Sequence, residues 1–145
     1  ERMDEEATLN AIDPDLSSFK ANGGKLISYH GWADPLVTAN LAVHYYESVV
    51  AEQGGIDQTT DFYRLFMAPG MAHCRGGPGP DRFDAVTALE RWVEDGIPPD
   101  QIVASKVVDG DVTRSRPLCA YPQVARYTGS GSIDDAASFA CVDAD

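Results

Sequence analysis

Two short stretches carry residues whose types and spacing could do chemistry. One is Ala68-Pro-Gly-Met-Ala-His73-Cys74-Arg75-Gly-Gly77, and the other is His30-Gly-Trp-Ala-Asp34. In the first, a short apolar run from Phe62 to Met67 leads into glycine and proline, and a histidine sits in the break. A histidine on a loop just past a buried strand is where a general base is often held. Asp34 stands 39 residues earlier (73 − 34). An aspartate that fixes a histidine's tautomer and stabilises its imidazolium is, with that histidine, two-thirds of a serine-hydrolase triad. The third member is not recognisable: there is no Gly-x-Ser-x-Gly elbow, and Ser130, in Gly129-Ser-Gly131, follows the histidine instead of preceding it. On pattern alone Asp34 reads equally well as a turn or capping residue.

Other candidates carry less. His44 falls mid-helix between apolar rows, and His30 ends a strand, where packing or a local hydrogen bond suits it better than proton abstraction. Gly76-Gly-Pro-Gly79 lacks the Gly-Lys-Ser/Thr ending of a phosphate loop. Asp109-Gly-Asp111 supplies too few oxygens for calcium. His73-Cys74 are adjacent, which rarely serves one zinc ion, and no Cys-x-x-Cys accompanies them. Cys74 as a nucleophile beside His73 is weak, because such pairs normally meet across a fold. No metal site is expected.

These residues must be positioned by regular elements, and the chain has the length for them. Its 145 residues suffice for one domain with a real core, and 43% are hydrophobic. A net charge of −12 argues against nucleic acid or an anionic membrane as partner. No apolar run approaches the roughly 18 residues of a membrane span. The start, Glu1-Arg-Met-Asp-Glu-Glu6, is too charged for a secretory signal, so any signal is expected to have been removed or to belong to a longer precursor. The cysteines are Cys74, Cys119 and Cys141; three is odd, so at most one pair forms within the chain, and three free thiols remain an alternative.

Residues 1–12 show no period and read as a frayed lead-in. Asp13-Pro14 predicts a helix start, and Asn22-Gly23-Gly24 its end. Lys25–His30 reads as a strand covered on both faces. Residues 38–53 predict a helix, with Leu41, Tyr45 and Val49 in one row and Ala42, Tyr46 and Val50 in the next. Asp61–Met67 reads as a second buried strand. Asp81 is a plausible N-cap for a helix over 83–95, with Val86, Leu89 and Val93 on one face and Trp92 alongside. Gln101–Val108 is a third strand and Asp109-Gly110 a hairpin turn. The tail from Pro117 to Val142 reads as loop-rich, with a strand near 124–128. Strand, helix, strand, helix, strand predicts an α/β layer with a mostly parallel sheet flanked by helices. Asp34 and His73 then both leave strands at the carboxyl end, where such sheets bind ligands.

At this point the residues resemble a known family. Gly23-Gly-Lys-Leu-Ile-Ser-Tyr-His-Gly-Trp-Ala-Asp-Pro35 resembles the acid-bearing segment of the tannase and feruloyl esterase family. Phe66-Met-Ala-Pro-Gly-Met-Ala-His-Cys-Arg-Gly-Gly77 resembles its histidine segment. Arg116-Pro-Leu-Cys-Ala-Tyr-Pro122 and Ala137-Ser-Phe-Ala-Cys141 resemble its C-terminal end. The likeness runs from about Ala11 to Val142. It implies a secreted serine esterase on an α/β-hydrolase fold with an inserted lid, acting on esters of aromatic acids such as gallate and hydroxycinnamate esters. It also implies Asp34 as triad acid, His73 as base, and a bond from Cys74 to a cysteine outside this chain, just before the nucleophilic serine. Cys119 and Cys141 would pair, closing a loop of 22 residues (141 − 119) and contributing about 3 kcal/mol in the entropic account. No cofactor is implied on this chain, and any calcium belongs with the lid.

The family's chains are several times longer, so the resemblance implies that residues 1–145 correspond to the C-terminal part of the catalytic domain, with serine elbow, oxyanion hole and lid expected outside this chain. The expected partner is therefore an N-terminal segment or chain carrying the serine, with a small aromatic ester as substrate; alone, the chain is expected to be inactive. The alternative is a non-catalytic binding or interaction fragment that pairs with another chain through an open sheet edge.

Overall fold

A computed structural model describes residues 11–144; most of the lead-in read at 1–12 lies outside them. The elements run α1 (Ser17–Ala21), β1 (Leu26–Gly31), α2 (Ala39–Glu52), α3 (Ile56–Thr60), β2 (Tyr63–Ala68), α4 (Ala85–Asp95), β3 (Gln101–Val108), β4 (Asp111–Cys119), β5 (Val124–Tyr127), a 3₁₀ turn (Ala136–Ser138) and β6 (Phe139–Val142).

β1 and β2 pair in parallel, with Leu26 beside Tyr63 and Gly31 beside Ala68. β2 is apolar at nearly every position, and its alternating side chains feed two cores. Tyr63, Leu65 and Met67 point to α2, where they pack with Ala39, Tyr46, Val49 and Phe62. Phe66 and Ala68 point the other way, to Met71, Ile102, Ala104 and Leu118, with Phe83, Ala85 and Ala88 at the margin. The strand that precedes the histidine loop is thus held from both sides.

The expected mostly parallel sheet is corrected. Among the described residues three two-stranded sheets form, β1–β2 parallel, β3–β4 and β5–β6 antiparallel. Asp109 and Gly110 both have positive φ, 52° and 96°, the conformation of a tight hairpin turn. The chain therefore returns at once, and β4 becomes the partner of β3. β4 then meets β2 through a bridge from Ala120 to Phe66. The tail is more regular than its composition suggested: Pro117 to Cys119 belong to β4, and β5 and β6 close a ribbon. A disulfide joins Cys119 to Cys141, with Cα atoms 5.6 Å apart. The Arg116 guanidinium sits 4.1 Å over the Phe139 ring beside it.

Helix starts also differ from expectation. Asp13 does not cap α1; its carboxylate accepts from the Asp15 amide, Asp15 accepts from Ser17, and the helix begins at Ser17. Asp81 does not cap α4. Asp84 does, accepting from the Thr87 amide and hydroxyl. The buried face of α4 is rotated accordingly: Trp92 is buried and Ala85 and Ala88 pack inward, whereas Val86 and Val93 are exposed. In α2, Leu41 falls outside the apolar stripe and is exposed. The short α3 was not anticipated; its five residues carry no apolar period.

Candidate active site

β1 ends in Gly31, and the chain turns through Trp32 to Asp34. The turn is built by Asp34 itself, whose Oδ1 accepts hydrogen bonds from the Leu36 amide (2.8 Å) and the Val37 amide (3.0 Å). This is the Asx geometry that makes aspartate a turn former. The turn reading and the acid reading are therefore compatible, because the turn uses one oxygen and leaves the other.

That other oxygen faces the histidine loop. His73 Nδ1–H donates to Asp34 Oδ2 at 2.8 Å. The Asp34 side chain is only 2% exposed, covered by its turn and the histidines, whereas that of His73 is 44% exposed. Desolvation pushes the Asp34 carboxyl up, but the Val37 and Leu36 amides and the His73 ring outweigh it and hold it at about 2. An ionised carboxylate only accepts, so His73 Nδ1 carries the proton and Nε2 is left with its lone pair. An imidazole so fixed can take a proton at Nε2 and be stabilised as the cation forms.

The histidine loop is tied to itself and to its surroundings. The Gly79 amide donates to the Gly70 carbonyl (3.0 Å), Ala72 to Gly76 (3.0 Å) and Arg75 to His73 (2.8 Å). Gly77 has φ 82°, and a Cβ there would stand 2.3 Å from the Gly70 carbonyl oxygen, so only glycine fits. Asp81, expected as a cap, instead accepts from the Gly76 amide (2.7 Å). Lys106, from β3, donates to the Gly77 carbonyl (2.7 Å) and to Asp81 (3.1 Å). Sequence reading did not find this clamp; a lone lysine on a strand gives no signal of what it will reach.

The remaining candidates also have places. His30 Nε2 lies 3.0 Å from the Val37 carbonyl oxygen and 3.2 Å from Asp34 Oδ2. His44 is on the exposed face of α2. Cys74, next to His73, is an exposed free thiol with φ 64°. A cleft of about 300 Å³ opens beside it, bordered by Tyr29, Arg75, Arg82 and Phe83. A groove lined by Trp32, Pro35, Leu36, Val37 and Leu41 runs past Asp34. Among the described residues no group of three His, Cys, Asp or Glu side chains could hold a metal ion, and no helix is long and apolar enough to cross a membrane.

Comparison with known proteins shows the family. The model of the tannase and feruloyl esterase family matches residues 3–142. An uncharacterised esterase of Xanthomonas campestris is 44% identical over 94% of the chain. The mono(2-hydroxyethyl) terephthalate hydrolase of Piscinibacter sakaiensis is 49% identical over 90% of it. The crystal structure of an esterase from Aspergillus oryzae superposes on 90% of the chain with a TM-score of 0.83 at 34% identity. The chain spans 29%, 22% and 29% of the lengths of these three. With the match extending over nearly every residue, the chain belongs to the tannase and feruloyl esterase family.

Proposed function

We propose that the chain is the acid–base portion of a secreted serine esterase, the C-terminal part of an α/β-hydrolase catalytic domain that cleaves esters of aromatic acids. The observation that carries this reading is the 2.8 Å hydrogen bond from His73 to a nearly covered Asp34 carboxylate. The names of the relatives support the reaction class, since they include an esterase and a terephthalate monoester hydrolase. Trp32, Leu36 and Val37 are exposed beside Asp34, an apolar border suited to an aromatic acyl group.

In this mechanism a serine hydroxyl from outside these residues attacks the ester carbonyl while His73 Nε2 takes its proton. The imidazolium, paired with Asp34, then gives that proton to the leaving alcohol. Water repeats the sequence on the acyl-enzyme. Cys74 is proposed to form a disulfide with a cysteine beside that serine, which would hold the nucleophile against the histidine loop. Its exposure on that loop supports this.

The test is turnover of methyl ferulate, methyl gallate and a nitrophenyl ester. The 145-residue chain alone is expected to be inactive, and the enzyme completed with its serine-bearing segment active. His73→Ala should abolish most of kcat in the complete enzyme. A folded His73→Ala enzyme with near-normal kcat would overturn the reading.

A further inference from the structure

His30 stands four residues before Asp34, and both its contacts are acceptors. Nε2 lies 3.0 Å from the Val37 carbonyl oxygen and 3.2 Å from Asp34 Oδ2, so that nitrogen carries a proton. The ring is itself held: it projects from β1, whose register sets His30 beside Met67 of β2, and its side chain is 18% exposed. A strand is a firmer mount than a loop.

We infer that His30 is a positioning residue for the acid–base pair, closing the turn that presents Asp34 and holding its Nε2–H as a polar contact 3.2 Å from the oxygen that receives His73. This rests on the esterase reading above. A carboxylate offers about four acceptor sites. At Asp34 three are filled by hydrogen bonds, from the Leu36 and Val37 amides at Oδ1 and from His73 at Oδ2, and His30 Nε2 stands 3.2 Å from Oδ2 on the fourth side. The amides alone leave Oδ2 free to swing as the carboxylate turns about its Cβ–Cγ bond. The His30 ring, mounted on β1 and in contact with Oδ2, opposes that motion. His30 also ties the Val37 carbonyl to the strand, so the same ring closes the turn that presents Asp34.

A purely structural His30 would close the turn and do nothing to the carboxylate, which gives the test its contrast. Removing a donor from an ionised carboxylate raises its titration midpoint. In the ¹³C-labelled 145-residue chain, His30→Ala is expected to raise the Asp34 midpoint by about half a pH unit, less than loss of a full hydrogen bond to a carboxylate would give. His30→Gln places its amide nitrogen near the position of Nε2 and should restore most of the shift. His30→Asn reaches only the Nδ1 position and should not. In the complete esterase, His30→Ala should lower kcat about tenfold with KM within twofold, and His30→Gln should recover it. If His30→Ala does not fold, the contrast between Gln and Asn carries the comparison. A folded His30→Ala chain with an unmoved Asp34 midpoint, or Gln and Asn variants that behave alike, would overturn the proposal. Failure of the esterase reading would look different: His73→Ala would keep its kcat while the Asp34 midpoint still answered to His30.

Discussion

Gly31 lies so close beneath the histidine loop that a Cβ on it would stand 2.2 Å from the Met71 carbonyl oxygen and 2.8 Å from that of Ala72. The same Met71 carbonyl accepts from the Ala33 amide at 3.1 Å. The Asp34 turn and the His73 loop, 39 residues apart in the chain, are thus joined through backbone as well as through their side chains. Both obstructing atoms are main-chain, so nothing flexible can yield to a methyl group. Gly31→Ala is expected to push the loops apart and lower kcat of the complete enzyme about 100-fold, the cost of a displacement near 1 Å. It should also cost about 1–3 kcal/mol in stability, as overpacking does. Steady-state kinetics and urea unfolding would check both. A variant with wild-type kcat would show that the close approach does not position the pair.

The clamp from β3 acts on the other side of the same loop. Desolvation raises the Asp81 carboxyl, but the Gly76 amide and Lys106 outweigh it and keep it below its ordinary value. Lys106→Met would leave Asp81 and the Gly77 carbonyl without that ammonium. The Asp81 and Lys106 side chains are 10% and 22% exposed, so the expected loss is about 1–2 kcal/mol, below the full range for charged hydrogen bonds. Asp81→Ala should make the Gly76 amide exchange faster, read by hydrogen exchange with mass spectrometry. Unchanged protection at Gly76 would mean that the loop holds itself without the clamp.

Much of this site was legible in the sequence because its carriers are short-range patterns. Apolar runs gave β1 and β2 to within about two residues, and the glycine–proline break after Ala68 marked the loop that bears His73. Asp109-Gly110 announced a hairpin, and that same signal makes the strand after β3 its antiparallel partner, because a two-residue turn cannot make a crossover. The rotated face of α4 was illegible for another reason. Val86 and Val93 are more apolar than Ala85 and Ala88, yet it is the two alanines that pack on the cluster of Phe66 and Ala104. Lys106, Asp81 and Gly31 act over distances that sequence spacing does not encode. His30 was visible as a local partner, not as a ligand of the carboxylate that His73 uses.

The disulfide gives a prediction independent of activity. Cys119 ends β4 and Cys141 lies in β6, so their bond ties the terminal ribbon to the sheet that borders the second core. Replacing both by serine reopens a loop of 22 residues and should cost about 3 kcal/mol. Denaturant unfolding of the oxidised chain and the double variant would measure it. Peptide mapping without reduction should recover Cys119 linked to Cys141 and Cys74 in neither; a Cys74–Cys119 or Cys74–Cys141 peptide would contradict the fold.

The last prediction concerns acid. The Asp34 carboxyl is held at about 2 against an ordinary value of 3.8. A folded-state value below the unfolded one means the unfolded chain binds the proton first as pH falls. The stabilisation that Asp34 contributes is therefore complete above about pH 4 and is lost progressively as the pH drops towards 2. In Asp34→Asn this dependence is absent, because an amide does not titrate. The stability difference between wild type and Asp34→Asn should therefore shrink as the pH falls below about 4. Urea unfolding of both chains across that range is the measurement. The turn should survive in the variant, since the asparagine oxygen still accepts from Leu36 and Val37. The lost partner is His73, whose Nδ1–H would then face the asparagine NH2, a second donor. In the complete enzyme the same substitution should cost up to about 10⁴ in kcat, as removal of the tautomer-fixing charge does in serine proteases. A stability difference that stays flat down to pH 2 would mean that the Asp34 carboxylate is not held by these partners in the folded chain.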